Sequence, residues 1–346
     1  MLRSRLSVQN LSPGYFALVM ATGILSLASS QRGWGSLSVV LLTLSALAYA
    51  VLLVASLRRA LAHREAFATD LRDPRTAFQA FTFVAASGVL GSGLALHGML
   101  VPSAVLLAVA AVSWLVLGYA LPWAAVLGRA QRPLTAAANG TWFIWVVGAQ
   151  SVAILASTLE PHGGTAGHAL SLLAVFTWSV GLVLYVAVAF MVVLRLMIHP
   201  LEPRELDPPY WVSMGAIAIT IVAGARLVQM DSTPTVDAVR GLASGLTVVL
   251  WAFATWLIPA LFAVGLWRHA LRRVPLTYTP ALWSMVFPLG MYSVACMTLG
   301  RADSLPLVER IGELWIWVGL LAWGATAAAM VASWATGRRR RVPGTR

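Results

Sequence analysis

The chain has 346 residues, 59% of them hydrophobic and only 10% charged, with a mean hydropathy of +0.81. Soluble domains carry about 25% charged residues, so this composition excludes a water-soluble globular protein, and a single cysteine excludes a disulfide framework and argues against a cysteine metal cluster. The net charge of +12 reflects 24 arginines and no lysine, clustered between long uncharged runs, which is how membrane topology is specified and not how a nucleic-acid surface is built.

A helix needs roughly 20 apolar residues to cross the hydrocarbon core. Ten segments meet that condition: 13–29, 36–57, 76–96, 102–127, 139–157, 168–197, 210–229, 238–267, 279–300 and 310–335. They divide the chain into an N-terminal stretch 1–12, a ten-helix domain 13–335 and a basic tail 336–346. The first segment has no small-residue cleavage pattern leading into a soluble chain, so it reads as a span and not as an export signal. The runs at 168–197 and 238–267 are too short to cross twice, and each reads as one tilted or over-long helix. The loops are short; Arg58–Arg75 and His199–Pro209 are the polar ones.

Arginine placement orients the domain. With ten spans, one side receives Arg3, Arg5, the Arg58–Arg75 cluster, Arg129, Arg132, Arg195, Arg204, Arg268, Arg272, Arg273 and the tail arginines, 19 of the 24. The other side receives Arg32, Arg226, Arg240, Arg301 and Arg310. The positive-inside rule then expects both termini in the cytoplasm of a multi-pass protein of the cell (plasma or inner) membrane.

The parallel, odd-numbered spans differ from the even ones. They carry small polar residues and helix breakers at mid-depth: Thr22, Gly23 and Ser26 in the first, Gly88 and Ser92 in the third, Gln150 in the fifth, Thr220 in the seventh, Pro288 and Gly290 in the ninth. Loosened backbone and hydroxyls must face protein or a water-lined cavity, so these residues are expected to line a corridor. The even spans are unbroken aliphatic runs of the kind that lipid tolerates. Small residues also permit ordinary helix packing, and the GLASG stretch at 241–245 is read that way.

The centre of the spans contains no carboxylate and no lysine, which argues against a cation path and against a relay of buried acids. A neutral corridor that binds weakly suits the passage of small anions. Arg226, about one turn from the outer end of the seventh span, would attract anions at an outer mouth; the structural alternative is snorkelling to headgroups or pairing with Asp231. His97 is a second candidate at that mouth. Phe287, directly before Pro288, could project inward as a plug, or simply pack. Tryptophans near span ends read as interface anchors. No HExxH, converging acid pair or glycine phosphate loop occurs, so neither an enzyme nor a cofactor or metal site is expected.

The residues also carry a resemblance. PGYFALVMATGILS, Pro13 to Ser26, resembles the first-helix signature of the tellurite-resistance/dicarboxylate transporter family, which includes fungal sulfite efflux pumps and malate permeases, bacterial tellurite-resistance proteins and plant slow anion channels. Ala21 stands where glycine is usual. WSMVFPLGMYSVA, Trp283 to Ala295, extends the similarity into the ninth span. The resemblance implies an all-α polytopic membrane protein whose ten transmembrane helices form five helical hairpins in a quasi-fivefold ring, with odd helices lining a central pore. It implies a homotrimer with one pore per subunit, and a phenylalanine gate that falls on Phe287. The expected function is transport of small anions such as sulfite, chloride, tellurite-type oxyanions or C4-dicarboxylates. A proton-coupled carrier of C4-dicarboxylates such as malate is the alternative.

Overall fold

The computed structural model describes residues 8–127 and 134–335. Arg3, Arg5, Arg129, Arg132 and the basic tail lie outside the described residues. Among the described residues ten helices are long and apolar enough to cross a membrane: span 1 Pro13–Gln31, span 2 Gly35–Ala62, span 3 Ala77–Leu96, span 4 Leu100–Leu127, span 5 Gly140–His162, span 6 Gly164–Ile198, span 7 Pro208–Gln229, span 8 Pro234–Leu271, span 9 Pro280–Ala302 and span 10 Pro306–Ala335. Among the described residues there is no strand. Spans 2, 6 and 8 run beyond their apolar segments, because backbone hydrogen bonding continues where hydropathy stops.

The arrangement is cyclic. Span 1 packs on span 3, 3 on 5, 5 on 7, 7 on 9, and 9 back on 1. Each even span packs on the odd span before it and touches the next odd span in the cycle. Burial follows this order: 67% to 89% of the apolar window of each odd span is buried, against 11% to 33% for the even spans. The even spans therefore form an outer layer whose aliphatic side chains, such as Leu47, Val183 and Leu321, point away from the protein.

Each odd span opens on a 3₁₀ turn: Pro13–Phe16, Ala77–Ala80, Gly140–Trp142, Pro208–Trp211 and Pro280–Leu282. Proline early in three of them presets the backbone and needs no donor there. The Ser12 and Asn139 side chains accept hydrogen bonds from the Gly14 and Thr141 N–H groups, satisfying donors that a helix start leaves free. The five turns touch one another in the same cyclic order as the spans they open. They form a collar on the side that also holds Ala335, here called the terminal face; the opposite side is the distal face.

Close approach and hydrogen bonds join the two layers. Gly290 and Gly319 let spans 9 and 10 meet backbone to backbone: a Cβ on Gly319 would lie 3.4 Å from the Gly290 Cα. The Ser26 hydroxyl donates to the Ser38 carbonyl at 2.7 Å, and the Ser293 hydroxyl to the Gly312 carbonyl at 2.7 Å. In a membrane such bonds and small-residue contacts replace the hydrophobic effect as the force between helices. The GLASG stretch differs from its packing expectation: a Cβ on Gly241 or Gly245 would meet nothing within 4 Å. At the terminal face a short helix, Arg64–Arg72, presents Asp70 to Arg59 at 2.8 Å, and Arg59 also donates to the Gln9 carbonyl at 2.9 Å. Arg59 is thus a buried tie between elements as well as a topology charge.

Candidate functional site

A cavity of about 100 Å³ lies among the five odd spans, and all five line it. Span 1 contributes Ile24, Leu27, Ser30 and Gln31; span 3 Gly88, Val89, Ser92 and Leu96; span 5 Ser151 and Ile154; span 7 Ile219, Val222 and Arg226; span 9 Met291 and Val294. Spacings of three, four and seven residues put one stripe of each helix on a common axis. These residues begin at mid-span and continue toward the distal end, so the cavity occupies the distal half of the ring.

Phe287 stands four residues before Met291 and seven before Val294, on the same stripe of span 9 and one turn nearer the terminal face. Its ring is 1% exposed. The helix Trp283–Ala302 continues through Pro288, whose ring is accommodated by a missing side chain on span 7: a Cβ on Gly215 would lie 2.8 Å from the Pro288 Cγ. Pro288 therefore faces span 7.

The wall is mostly aliphatic, and of the residues lining the cavity Arg226 is the one with a fixed charge. Three of the other distal arginines are in ion pairs, Arg32 with Glu313 at 2.8 Å, Arg240 with Asp237 at 3.1 Å and Arg301 with Glu309 at 2.7 Å, while Arg310, which does not line the cavity, is in none among the described residues. Arg226 is in none among the described residues, and its buried Nε has no hydrogen-bond partner. Pairing with Asp231, one form of the structural alternative, is not among the ion pairs of the described residues. A buried donor without an acceptor in low dielectric is costly, and an anion in the cavity would satisfy it.

Of the polar residues expected to line the corridor, Gly88 and Ser92 border the cavity. The others face neighbouring helices. The Thr22 hydroxyl accepts from Trp323 Nε1 of span 10 at 3.0 Å. Gly23 packs against Val89 and Ser45, and Gly290 against Ile24 and Leu25. Ser26 bonds to span 2. Gln150 donates to the Trp178 carbonyl of span 6 at 3.1 Å. The Thr220 hydroxyl returns to the Ala216 carbonyl while its own carbonyl accepts from Trp178 Nε1. His97 ends span 3 as an exposed residue outside the cavity lining, one position beyond Leu96. Gln31 was not foreseen: it lines the mouth and donates to Thr298 at 3.1 Å, linking spans 1 and 9. Its place seven residues after Ile24 was the available signal. No group of three or more His, Cys, Asp or Glu residues that could hold a metal occurs among the described residues.

Comparison with known proteins bears on this geometry. The family model described as voltage-dependent anion channel (SLAC1) matches residues 10–331. An uncharacterized membrane protein of Mycobacterium tuberculosis is 53% identical over 148 residues, 43% of this chain and 75% of the relative. An uncharacterized transporter of Methanocaldococcus jannaschii is 24% identical over 326 residues, 92% of each chain. A second uncharacterized transporter of that organism is 27% identical over 189 residues, 54% of each chain.

Proposed function

The chain belongs to the voltage-dependent anion channel (SLAC1) family, a family of anion transport across membranes, and from that premise we propose that it carries small anions along the axis of its five odd spans, with Phe287 closing the path. The observation that carries this reading is the convergence of all five odd spans on one cavity whose charged lining residue is an arginine with a buried, unpartnered Nε. An anion leaving water needs a compensating donor, and a single guanidinium in an apolar wall supplies one without holding the ion tightly. Phe287 lies on the axial stripe where the cavity stops, so rotation of its ring would open or shut the route toward the terminal face. Gly88 and Ser92 form part of the wall. The even spans face lipid and the neighbouring subunits of a homotrimer, and both termini lie in the cytoplasm of a cell membrane protein, so that the cavity opens outward.

The test is flux from liposomes containing the purified protein, across chloride, nitrate, sulfite, malate and tellurite. Passive, anion-selective flux is expected without a pH gradient. Cation-selective current, or no anion flux under any gradient, overturns the reading; malate flux that requires an opposing pH gradient replaces it with a proton-coupled carrier.

A further inference from the structure

A second pocket, of about 320 Å³, opens at the distal face where the connection from span 5 to span 6 meets the connection from span 7 to span 8. Glu160, Gly164 and His168 line one side; Asp231, Ser232 and Thr233 line the other. Glu160 is 7% exposed, and its Oε2 is buried with no hydrogen-bond partner. Among the described residues neither Glu160 nor Asp231 takes part in an ion pair. Arg240, which opens the adjoining helix, is already committed to Asp237 and to the carbonyls of Val228 and Met230. The pocket thus gathers two carboxylates, one of them buried, with His168 as their titratable neighbour and no arginine of their own, an arrangement that a bound cation would relieve.

The donors are those of a hard metal ion. Beside the carboxylates, the Ser232 hydroxyl, which donates to Asp237, the Thr233 hydroxyl, which accepts from the Val236 N–H, and the Gly164 carbonyl, which accepts from the Gly167 N–H, each keep a lone pair to offer, and calcium accepts such mixed, flexible oxygen shells with water completing them. No three acidic or imidazole groups converge as direct ligands among the described residues, and the pocket is large enough for an ion that keeps part of its water. We propose that this distal pocket binds a hydrated divalent cation of the calcium class through Glu160 and Asp231. The inference stands on the chemistry of the pocket and does not require the transport reading. Its consequence reaches the axis, because a cation there ties together the distal ends of spans 5 and 7, which both line the cavity.

The experiment uses the full chain in nanodiscs of zwitterionic lipid, titrated with CaCl₂ while choline chloride holds ionic strength constant, and reads thermal stability and tryptophan fluorescence. A saturable response with a Kd of roughly 10⁻⁴–10⁻³ M is expected. Glu160→Gln and Asp231→Asn should each weaken it at least roughly tenfold, while Asp303→Asn, a distal carboxylate outside the pocket, leaves it unchanged. Asp231 is exposed, so its variant decides the matter if Glu160→Gln does not fold. No saturable response, an equal response in Asp231→Asn, or a response to ZnCl₂ alone that His168→Ala abolishes would each overturn the proposal.

Discussion

Gly88 and Ser151 meet across spans 3 and 5 with no room for a methyl group: a Cβ on Gly88 would lie 2.6 Å from the Ser151 Cβ and 2.9 Å from the Ser151 carbonyl oxygen. Both residues line the axial cavity. The obstruction includes backbone, which cannot swing aside as a long side chain can, so a larger residue must push the two helices apart. Gly88→Ala is expected to destabilise the protein by about 1–3 kcal/mol, seen as earlier thermal unfolding in detergent, and Gly88→Val by more. Ser151→Gly removes the Cβ contact but leaves the carbonyl, so it should restore only part of the loss. Unchanged melting of Gly88→Ala would contradict the close approach.

Phe287→Ala is expected to raise chloride flux well above that of Phe83→Ala. Phe83 is a fair comparison because it packs in an aromatic cluster with Phe16 and Tyr49, ring centroids 5.2 Å and 6.0 Å away, and is not among the cavity-lining residues. Truncating a buried phenylalanine costs about 3–5 kcal/mol, so flux must be normalised to folded protein, with Phe287→Leu as an intermediate size. Flux equal to or below that of Phe83→Ala removes the gate.

Arg226 supplies a charge, and charge effects are screened by salt. Arg226→Glu should depress anion passage from the distal side, Arg226→Gln should do so less, and Arg226→Lys should retain most of it. The differences should be largest at low ionic strength and shrink as the Debye length falls below about 10 Å near 0.1 M salt. If Arg226→Glu folds normally and its rate matches the parent chain at low salt, the guanidinium serves the headgroup region and not the path.

The number of spans and their order were legible because a bilayer imposes one length and one polarity on every crossing. The contrast between odd and even spans was legible too: lipid-facing helices must be unbroken and aliphatic, and interior ones need not be. The face that each interior helix turns to the axis was not legible. A helix buried all round shows no polar stripe, and its hydroxyls serve neighbours on any side. Thr22, Ser26 and Gln150 therefore looked like wall residues and proved to be bonded to the outer layer, while much of the wall is made by Ile24, Ile219, Val222 and Met291. Arg226 stood out in the sequence by its position, as a charge inside a span, where one is rarely kept without a role.

Asp207, immediately before the turn that opens span 7, has its carboxyl pushed up from 3.8 to about 6 by burial, with Arg268 acting in the opposite direction. A carboxyl whose folded value is raised favours the protonated, folded form. Its stabilising contribution is complete below about pH 4 and is lost as pH rises through about 6. Thermal stability should therefore fall across that window, and Asp207→Asn, which stays neutral, should flatten this part of the profile and melt higher than the parent above pH 6. A parallel profile for the two proteins would mean that Asp207 remains solvated.

Thr22 and Ser92 separate the two roles open to a hydroxyl on an odd span. Trp323 Nε1 donates to Thr22 across spans 1 and 10, so Thr22→Val strands a donor between helices and should cost about 0.6–2 kcal/mol, while leaving the ratio of nitrate to chloride flux unchanged. Ser92 borders the cavity and bonds only within its own helix, to the Gly88 carbonyl at 2.9 Å. Ser92→Ala should alter the flux ratio with little effect on melting. A Thr22→Val protein of normal stability but changed anion preference would return Thr22 to the wall, and with it the corridor of hydroxyls that the arrangement of these helices otherwise replaces with an aliphatic one.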